Sequence, residues 1–347
     1  MPIGFRRCLW FALSFSILMV GVANGQEDTC SNANIDAMRG RANIGASDQR
    51  RISDWVQGQI DGFKDWASFR DCFAKQVSDS GNSPQFTVQL VTQTAEIAAT
   101  QFASPAIAAD AAHALARVLV DMNRPETYVG LMAGLKLAEA PARFVCVLGL
   151  LRQQSSVAAD QAKLTQTVQS LRDVGLTEKS PVVLGRIYEV LAIPGQVGAV
   201  FDAYTALFDK RLEDRRKLGF VEDGAELYAF EFFRSSAVQE ALSTAQKSQL
   251  VSRVAVFLRF AAERYDVPGL GFAELDMVER VLDGAEDVLE GVVGGNQGGK
   301  IRDALSAGGA GKSRAILQEA YRWVGNATDG TKGVLNAAPW NVPAGAP

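Results

Sequence analysis

The sequence contains a single histidine, His113, among 347 residues. Metal sites that use two or more histidines are therefore excluded, and a Ser-His-Asp or Cys-His site would have to use this one imidazole. No Gly-x-Ser-x-Gly turn is present to hold a nucleophile. The sequence therefore predicts no catalytic residue, no metal site and no cofactor.

Cysteine is also scarce, with four residues and no Cys-x-x-Cys spacing, which excludes a structural zinc or redox motif of that type. Cys8 belongs to an N-terminal apolar run. Cys146 lies among apolar neighbours in FVCVLGLL, a setting typical of a small core residue. Cys30 and Cys72 are then the candidate disulfide pair, and three free thiols are the alternative.

The chain has no excess of positive charge. It carries 35 Lys and Arg against 39 Asp and Glu, a net charge of −4. Binding to nucleic acid or to an anionic membrane requires a basic surface, so this balance argues against both partners.

Long apolar runs are confined to the N-terminus. Arg6 and Arg7 precede an apolar run from Cys8 to Val22, and small residues follow at 23–25. This pattern predicts a cleaved signal peptide over residues 1–25. The alternative is an uncleaved anchor, but the run is short for a bilayer span of roughly 20 residues. We therefore expect an exported protein, periplasmic or secreted, without stable membrane insertion after cleavage.

No segment alternates with period two long enough to predict a strand, whereas helical periodicity is widespread. In the segment 104–122, SPAIAADAAHALARVLVDM, apolar residues recur every three or four positions and polar residues form the opposite face. Similar openings with proline recur along the chain, as expected at helix starts. The predicted helices cover residues 84–102, 105–122, 125–138, 141–154, 157–174, 181–192, 197–218, 243–265 and 273–292. The predicted fold class is all-α, with stacked antiparallel helix pairs that form an α-solenoid or α/α superhelix.

The remaining segments complete the predicted organisation. Residues 26–46 are expected to form a weakly ordered arm, and residues 47–292 the helical-repeat domain. Eight glycines between residues 291 and 311 predict a flexible linker over 293–311, with at most a short helix at 300–307. A terminal helix over 312–325 and a disordered tail over 326–347 follow. Alternating charges in DKRLEDRRK, residues 209–217, predict a solvated helix face.

One glycine-rich stretch, GGAGKS at 308–313, ends like a phosphate-binding loop. The full pattern needs a glycine six positions before the lysine, where this chain has Ser306, and an apolar strand before the loop, where it has IRDAL. The flexible linker is therefore the favoured interpretation.

The segment SPAIAADAAHALARVLVDM resembles the second helix of a HEAT-type repeat, with an early proline, many alanines, buried leucines and an exposed arginine. The resemblance covers residues 83–192. It implies an α-solenoid of the HEAT or armadillo type that binds proteins, and it implies no catalytic residues.

These observations predict a protein-binding or scaffolding module whose partner is another protein or an envelope polymer. The candidate binding surface consists of a polar ridge on the helix at 105–122 and two further arginines. Its residues are Asp110, His113, Arg117, Arg143 and Arg186. The alternative is a carbohydrate-active hydrolase or lyase on a closed α/α ring, using paired carboxylates and an aromatic-lined cleft. A closed ring of helices favours the enzyme, and an open stack favours the binding module.

Overall fold

The computed structural model of the protein describes residues 30, 33–62, 65–217, 219–294, 298–307 and 311–344. These residues form helices and no β-strand, and one isolated bridge joins Asn326 and Thr331. The predicted all-α class is therefore confirmed. The predicted signal peptide lies outside the described residues. Within them, no helix combines the length and the apolar character that a membrane span requires.

The helices have the following bounds: α1 Ala33–Asp36, α2 Ala46–Gly62, α3 Trp66–Ser78, α4 Pro84–Phe102, α5 Ala109–Met122, α6 Tyr128–Gly134, α7 Ala140–Arg152, α8 Gln154–Ala158, α9 Gln161–Thr177, α10 Pro181–Leu191, α11 Val197–Arg215, α12 Leu227–Phe233, α13 Ser236–Ala241, α14 Thr244–Tyr265, α15 Phe272–Val293, α16 Ile301–Ala307 and α17 Lys312–Val324. Two short 3₁₀ helices cover Pro125–Thr127 and Val334–Asn336.

The helices form two layers. In the first layer α2, α4, α6, α9, α11, α14 and α17 lie side by side in that order, and α6 contacts α9 where the Tyr128 hydroxyl lies 2.9 Å from Thr167 Oγ1. In the second layer α3, α5, α7, α10, α12, α15 and α16 follow one another in the same way. Consecutive helices pair across the layers at several points, most extensively α6 with α7, α14 with α15 and α16 with α17, so the predicted stack of antiparallel pairs is confirmed. Neither α2 nor α3 packs against α17, and the stack is open in the described chain.

Capping residues explain several helix starts. Ser83 and Ser180 accept a hydrogen bond from the backbone N–H three residues later, and proline follows each at the first helical position. Proline has no N–H to satisfy there and its φ is suited to a helix, so these starts are locally encoded.

The predicted start of α5 is four residues too early. Ser104 Oγ accepts from Ala106 N and the Ser104 carbonyl accepts from Ile107 N, so residues 104–107 form a turn. The helix begins at Ala109 after Ala108, which makes no side-chain cap. The serine hydroxyl here supports a local turn that competes with helix initiation.

The N-terminal arm is fastened to the first helix pair. A disulfide joins Cys30 to Cys72 of α3, which is the pair that the sequence singles out. Gln76 Nε2 donates to the Cys30 carbonyl at 2.8 Å, and Ile35 and Met38 are buried. Ile35 and Met38 therefore belong to the packed core, in contrast to the weakly ordered arm predicted over 26–46.

The glycine-rich segment also packs tightly where it is described. Ile301 is fully buried, and the Glu286 carboxylate accepts from the backbone N–H groups of Ile301 and Arg302 and from Trp323 Nε1 at 2.8, 2.9 and 3.2 Å. Burial raises the pKa of Glu286, against these three donors, which lower it. Gly299 lies directly against the backbone of Glu319. The short helix allowed at 300–307 is present as α16. Gly298 and Gly299 before it pack closely against α17, in contrast to the predicted flexible linker.

The C-terminal segment is ordered over residues 326–344, in contrast to the predicted disordered tail. Asn336 Nδ2 donates to the carbonyls of Val324 and Val342 at 3.0 and 2.7 Å, and Leu335 is fully buried. Gly325 has a φ of +75°, which allows the chain to turn back at the end of α17.

Replacement of Gly299 by alanine is expected to lower the free energy of unfolding by about 1–3 kcal/mol, because a Cβ would overlap the Glu319 backbone. The matched control is Gly58 in the middle of α2, where a Cβ meets nothing within 4 Å. Gly58→Ala should be neutral or stabilising by about 0.5–1 kcal/mol. Urea unfolding of both variants tests the pair. Equal stability of the two variants would show that the glycine-rich segment does not pack in solution.

Candidate functional site

The outward side chains of α5, α7, α10, α12 and α15 form one continuous surface, which we call the second-layer face. The five predicted binding residues lie on three of these helices, α5, α7 and α10. The face has a polar N-terminal half and a more apolar C-terminal half.

The N-terminal half carries the predicted ridge of α5. Asp110 and His113 are exposed and Arg117 is half-buried. Asp110 accepts from Trp66 Nε1 at 3.0 Å. Asp121, which its spacing would pair with Arg117, is instead bound by Arg70 of α3 at 2.8 Å. Within the described residues, His113 and Arg117 have no hydrogen-bond or ion-pair partner. The ridge is therefore held at its ends and free in the middle.

Arg143 has a different setting from the ridge. Its Nε and Nη2 bind the two Glu178 carboxylate oxygens at 2.8 and 2.9 Å, and its Nη1 donates to the carbonyls of Leu137 and Ala138. The Glu178 side chain is 1% exposed. Arg143 thus ties the loop after α6 to the loop before α10, and its donors are used within the chain.

We expect Arg143→Ala to lower the free energy of unfolding by about 3 kcal/mol, since it leaves the buried Glu178 carboxylate without its cation. Arg117→Ala, on the same face, is the control and should change it by less than about 0.5 kcal/mol. Thermal and urea unfolding measure both values. A small effect at Arg143 would return this arginine to the set of residues available for binding.

The C-terminal half contains a cleft of about 480 Å³ between α10, α12 and α15. Its apolar wall is formed by Val182, Tyr228 and Met277, and Arg186 and Arg280 also line it. The Arg186 guanidinium lies over the Tyr228 ring, 5.2 Å from its centroid. Of the predicted binding residues, Arg186 is the one that lies in this cleft.

Two glycines shape the cleft. A Cβ on Gly185 would lie 2.8 Å from the Tyr228 ring, so glycine lets the ring rest against α10. Gly224 has a φ of +63° and contacts Met277, so the loop before α12 turns tightly against α15. The position of Tyr228 thus depends on small residues that sequence periodicity does not reveal.

Exposed apolar side chains occur in this cleft and in the segments that lead into its helices. Val182 is 63% exposed, Tyr228 39% and Phe272, at the start of α15, 88%. Val221 and Val267 are also exposed, in the loops that lead into α12 and α15. Exposed apolar side chains gathered in one region mark an interaction surface more often than the same residues scattered singly.

A buried ionic cluster lies beside the cleft. Arg211 and Arg215 of α11 bind the carboxylates of Glu222, Asp223 and Glu226 in the loop before α12. The side chains of Arg215 and Glu226 are 2% and 0% exposed. The charge run 209–217, predicted to be a solvated face, therefore contributes two buried arginines.

The three carboxylates of this cluster are close enough together to hold a metal ion. Both oxygens of Glu222 and both of Glu226, however, are bound by guanidinium groups, and Asp223 Oδ1 accepts from Arg211 Nη2 at 2.5 Å. These arginines already neutralise the carboxylates and oppose a cation. The cluster is therefore better explained as an ion-pair network than as a metal site.

Lys312 and Ser313, the last two residues of the stretch that resembles a phosphate-binding loop, have acidic surroundings. Lys312 Nζ binds Glu279 Oε1 at 2.7 Å, and Ser313 Oγ bonds to Asp266. Carboxylates at this position repel phosphate, in agreement with the sequence-based preference against a nucleotide site.

Comparison with known proteins finds no matching family model, no matching curated protein and no matching solved structure.

Proposed function

We propose that the protein is an exported scaffold of the HEAT or armadillo type that binds another protein through its second-layer face. The observation that carries the proposal is the exposure of large apolar side chains, among them Val182, Tyr228 and Phe272, on the helices of that face. A stack of helix pairs presents such a row of helices as one extended surface.

The geometry of the stack supports binding rather than catalysis. The described helices form an open array, whereas the carbohydrate-active alternative rests on a closed ring. The two acidic side chains that line the cleft are paired, Asp223 with Arg211 in the buried network and Glu231 with Arg234. The cleft therefore does not offer the pair of free carboxylates that such chemistry requires.

The disulfide supports the proposed export. Cys30 and Cys72 are bridged across a sequence separation of 42 residues. Structural disulfides persist in oxidising compartments and are rare in the reducing cytosol. The bridge is therefore consistent with a periplasmic or secreted location, which the apolar run at residues 8–22 predicts independently.

Site-specific photocrosslinking in the organism of origin tests the proposed function. Benzoylphenylalanine is placed on the second-layer face, at His113 and Tyr228, and on exposed first-layer positions, at Glu96 and Asp202. Covalent adducts with a defined partner are expected from the first pair and not from the second. Adducts from all four positions alike, or from none, would contradict a second-layer binding face.

The ridge provides a second measurement of the same proposal. Arg117→Glu should reduce the adduct yield at His113 and lower Tm by no more than about 2 °C, because Arg117 has no partner within the described residues. Unfolding of this variant would show that the ridge is structural.

A further inference from the structure

We propose that the cleft formed by Val182, Arg186, Tyr228, Met277 and Arg280 binds an extended peptide segment in which an aliphatic or aromatic side chain is flanked by carboxylates. This inference rests on the proposed function and names the chemistry of the partner. The cleft volume, about 480 Å³, is within the range of about 300–1,000 Å³ for small-ligand pockets. It has room for the side chains of a few residues and not for a folded domain.

The apolar part of the segment is expected to contact Val182, Tyr228 and Met277. Val182 is 63% exposed although it lies in the first turn of a well-packed helix, and Tyr228 is 39% exposed. The Tyr228 ring is supported from behind by Gly185. An aromatic ring held in place in this way offers a large contact area at a low cost in conformational entropy.

The carboxylates are expected to bind Arg186 and Arg280. Each arginine is paired only with an acid of its own helix, Arg186 with Glu189 and Arg280 with Asp276. Both groups in the Arg280 pair are exposed, at 63% and 46%, and both in the Arg186 pair are about one-third exposed. Exposed pairs of this kind stabilise a fold by about 0–1 kcal/mol, so either guanidinium is free to exchange its partner for a ligand carboxylate.

The acidic groups of the lining do not fully offset these two arginines. Asp223 is bound by Arg211 within the buried network, whereas Glu231 forms an exposed pair with Arg234. By the same criterion, the cleft offers two exchangeable guanidinium groups and one exchangeable carboxylate. This balance favours an acidic segment over a basic one.

Selection from a random peptide library displayed on phage, with the purified mature protein as bait, tests the inference. Enriched sequences are expected to combine Leu, Ile, Phe or Tyr with neighbouring Asp or Glu. Synthetic peptides from the selection are then titrated by fluorescence anisotropy. Arg280→Glu and Tyr228→Ala should each weaken binding tenfold or more, since charge-assisted hydrogen bonds and aromatic contacts are lost.

Arg253→Glu is the matched control. Arg253 lies on first-layer helix α14, where it pairs with Asp209, and the substitution changes the net charge of the protein as Arg280→Glu does. Its affinity for the selected peptides should remain within twofold of wild type. Circular dichroism and Tm of every variant confirm that the cleft variants are folded.

Several outcomes would overturn the inference. These are the enrichment of basic peptides, binding that Arg280→Glu and Tyr228→Ala leave unchanged, or no enrichment at all. The photocrosslinking result decides the proposed function separately, because partner adducts at His113 do not depend on the cleft. Sedimentation analysis adds another outcome: a dimer that Phe272→Ser and Tyr228→Ala dissociate would assign the cleft to a second copy of this chain.

Discussion

Replacement of Arg215 by leucine should lower the free energy of unfolding by about 3–5 kcal/mol. The guanidinium binds Glu222 through Nε and Nη2, at 3.1 and 2.6 Å, and also binds Glu226. It stacks on Phe257, with 4.5 Å between the guanidinium carbon and the ring centroid. Without Arg215, the buried Glu222 carboxylate has no cation and Glu226 keeps only Arg211.

The measurement is urea unfolding followed by circular dichroism, with Arg253→Leu as the control. Arg253 also forms a two-point ion pair with a carboxylate, that of Asp209, but the Asp209 side chain is 56% exposed. Its replacement should cost less than about 1 kcal/mol. Loss of similar size in both variants would mean that burial does not distinguish the two pairs.

A second variant separates the value of the ion pair from the cost of an unpaired charge. Arg215→Leu combined with Glu222→Leu should be more stable than Arg215→Leu alone, because the uncompensated carboxylate is removed as well. If the stability loss of the double variant equals the sum of the losses of the two single variants, the two residues do not interact. This would contradict the ion-pair network.

Much of the helical architecture is encoded locally and is therefore predictable. The predicted bounds 84–102 coincide with α4, and those of 181–192 and 243–265 differ from α10 and α14 by one residue at one end. In α4 and α10 a serine cap and a proline mark the start. In α14, Ser243 and Gln246 form a capping box. These signals act within one turn of the chain, so they do not depend on the tertiary fold.

Burial of charge could not be predicted in the same way. The sequence DKRLEDRRK has the alternation of a solvated helix, and Lys217 and Glu213 are indeed exposed. Arg211 and Arg215 lie one turn apart on the opposite side, where the acidic loop at 222–226 covers them. Their partners are thus separated from them by a loop whose path no local pattern reveals.

The role of the glycine-rich segment 291–311 could not be predicted from composition either. A run of glycines favours a flexible linker, because glycine loses the most conformational freedom on folding. The same residue is also the one that permits close approach of two backbones, as at Gly299 and Glu319. Composition alone does not distinguish the two uses. In the structure the segment covers Trp323, which is fully buried and lies against Gly298.

The candidate binding residues also differ in ways that only the tertiary fold decides. Arg117, Arg143 and Arg186 all occupy helical positions that the sequence pattern assigns to the surface. The structure ties Arg143 to buried Glu178 and leaves Arg186 on the exposed ring of Tyr228. The cleft around Arg186 needs Tyr228 and Met277 from two later helices, so its composition follows from the stacking and not from any one helix.

Removal of the Cys30–Cys72 disulfide should lower the free energy of unfolding by an amount similar to the loss of Arg215. The Cys30→Ser/Cys72→Ser variant is expected to lose about 4 kcal/mol of stability in the chain-entropy account, since the bridge closes a long loop. Locally, the bridge holds the arm whose Arg39 binds Asp79 and Gln76 of the first helix pair. These polar contacts are partly exposed, and the bridge is the covalent link between the arm and α3. In the variant without the bridge, the arm should therefore detach before the rest of the protein unfolds.

Limited proteolysis and urea unfolding distinguish this expectation from a purely local change. The double variant should be cleaved within residues 31–45 under conditions that leave the wild type intact, and reduction of the wild type with dithiothreitol should reproduce its unfolding curve. Cys146→Ala is the control: Cys146 is a fully buried free thiol, so this variant should keep the same response to dithiothreitol as the wild type. A double variant whose free energy of unfolding is within about 1 kcal/mol of the wild-type value would contradict this expectation. Packing of Ile35 and Met38 would then hold the arm without the bridge.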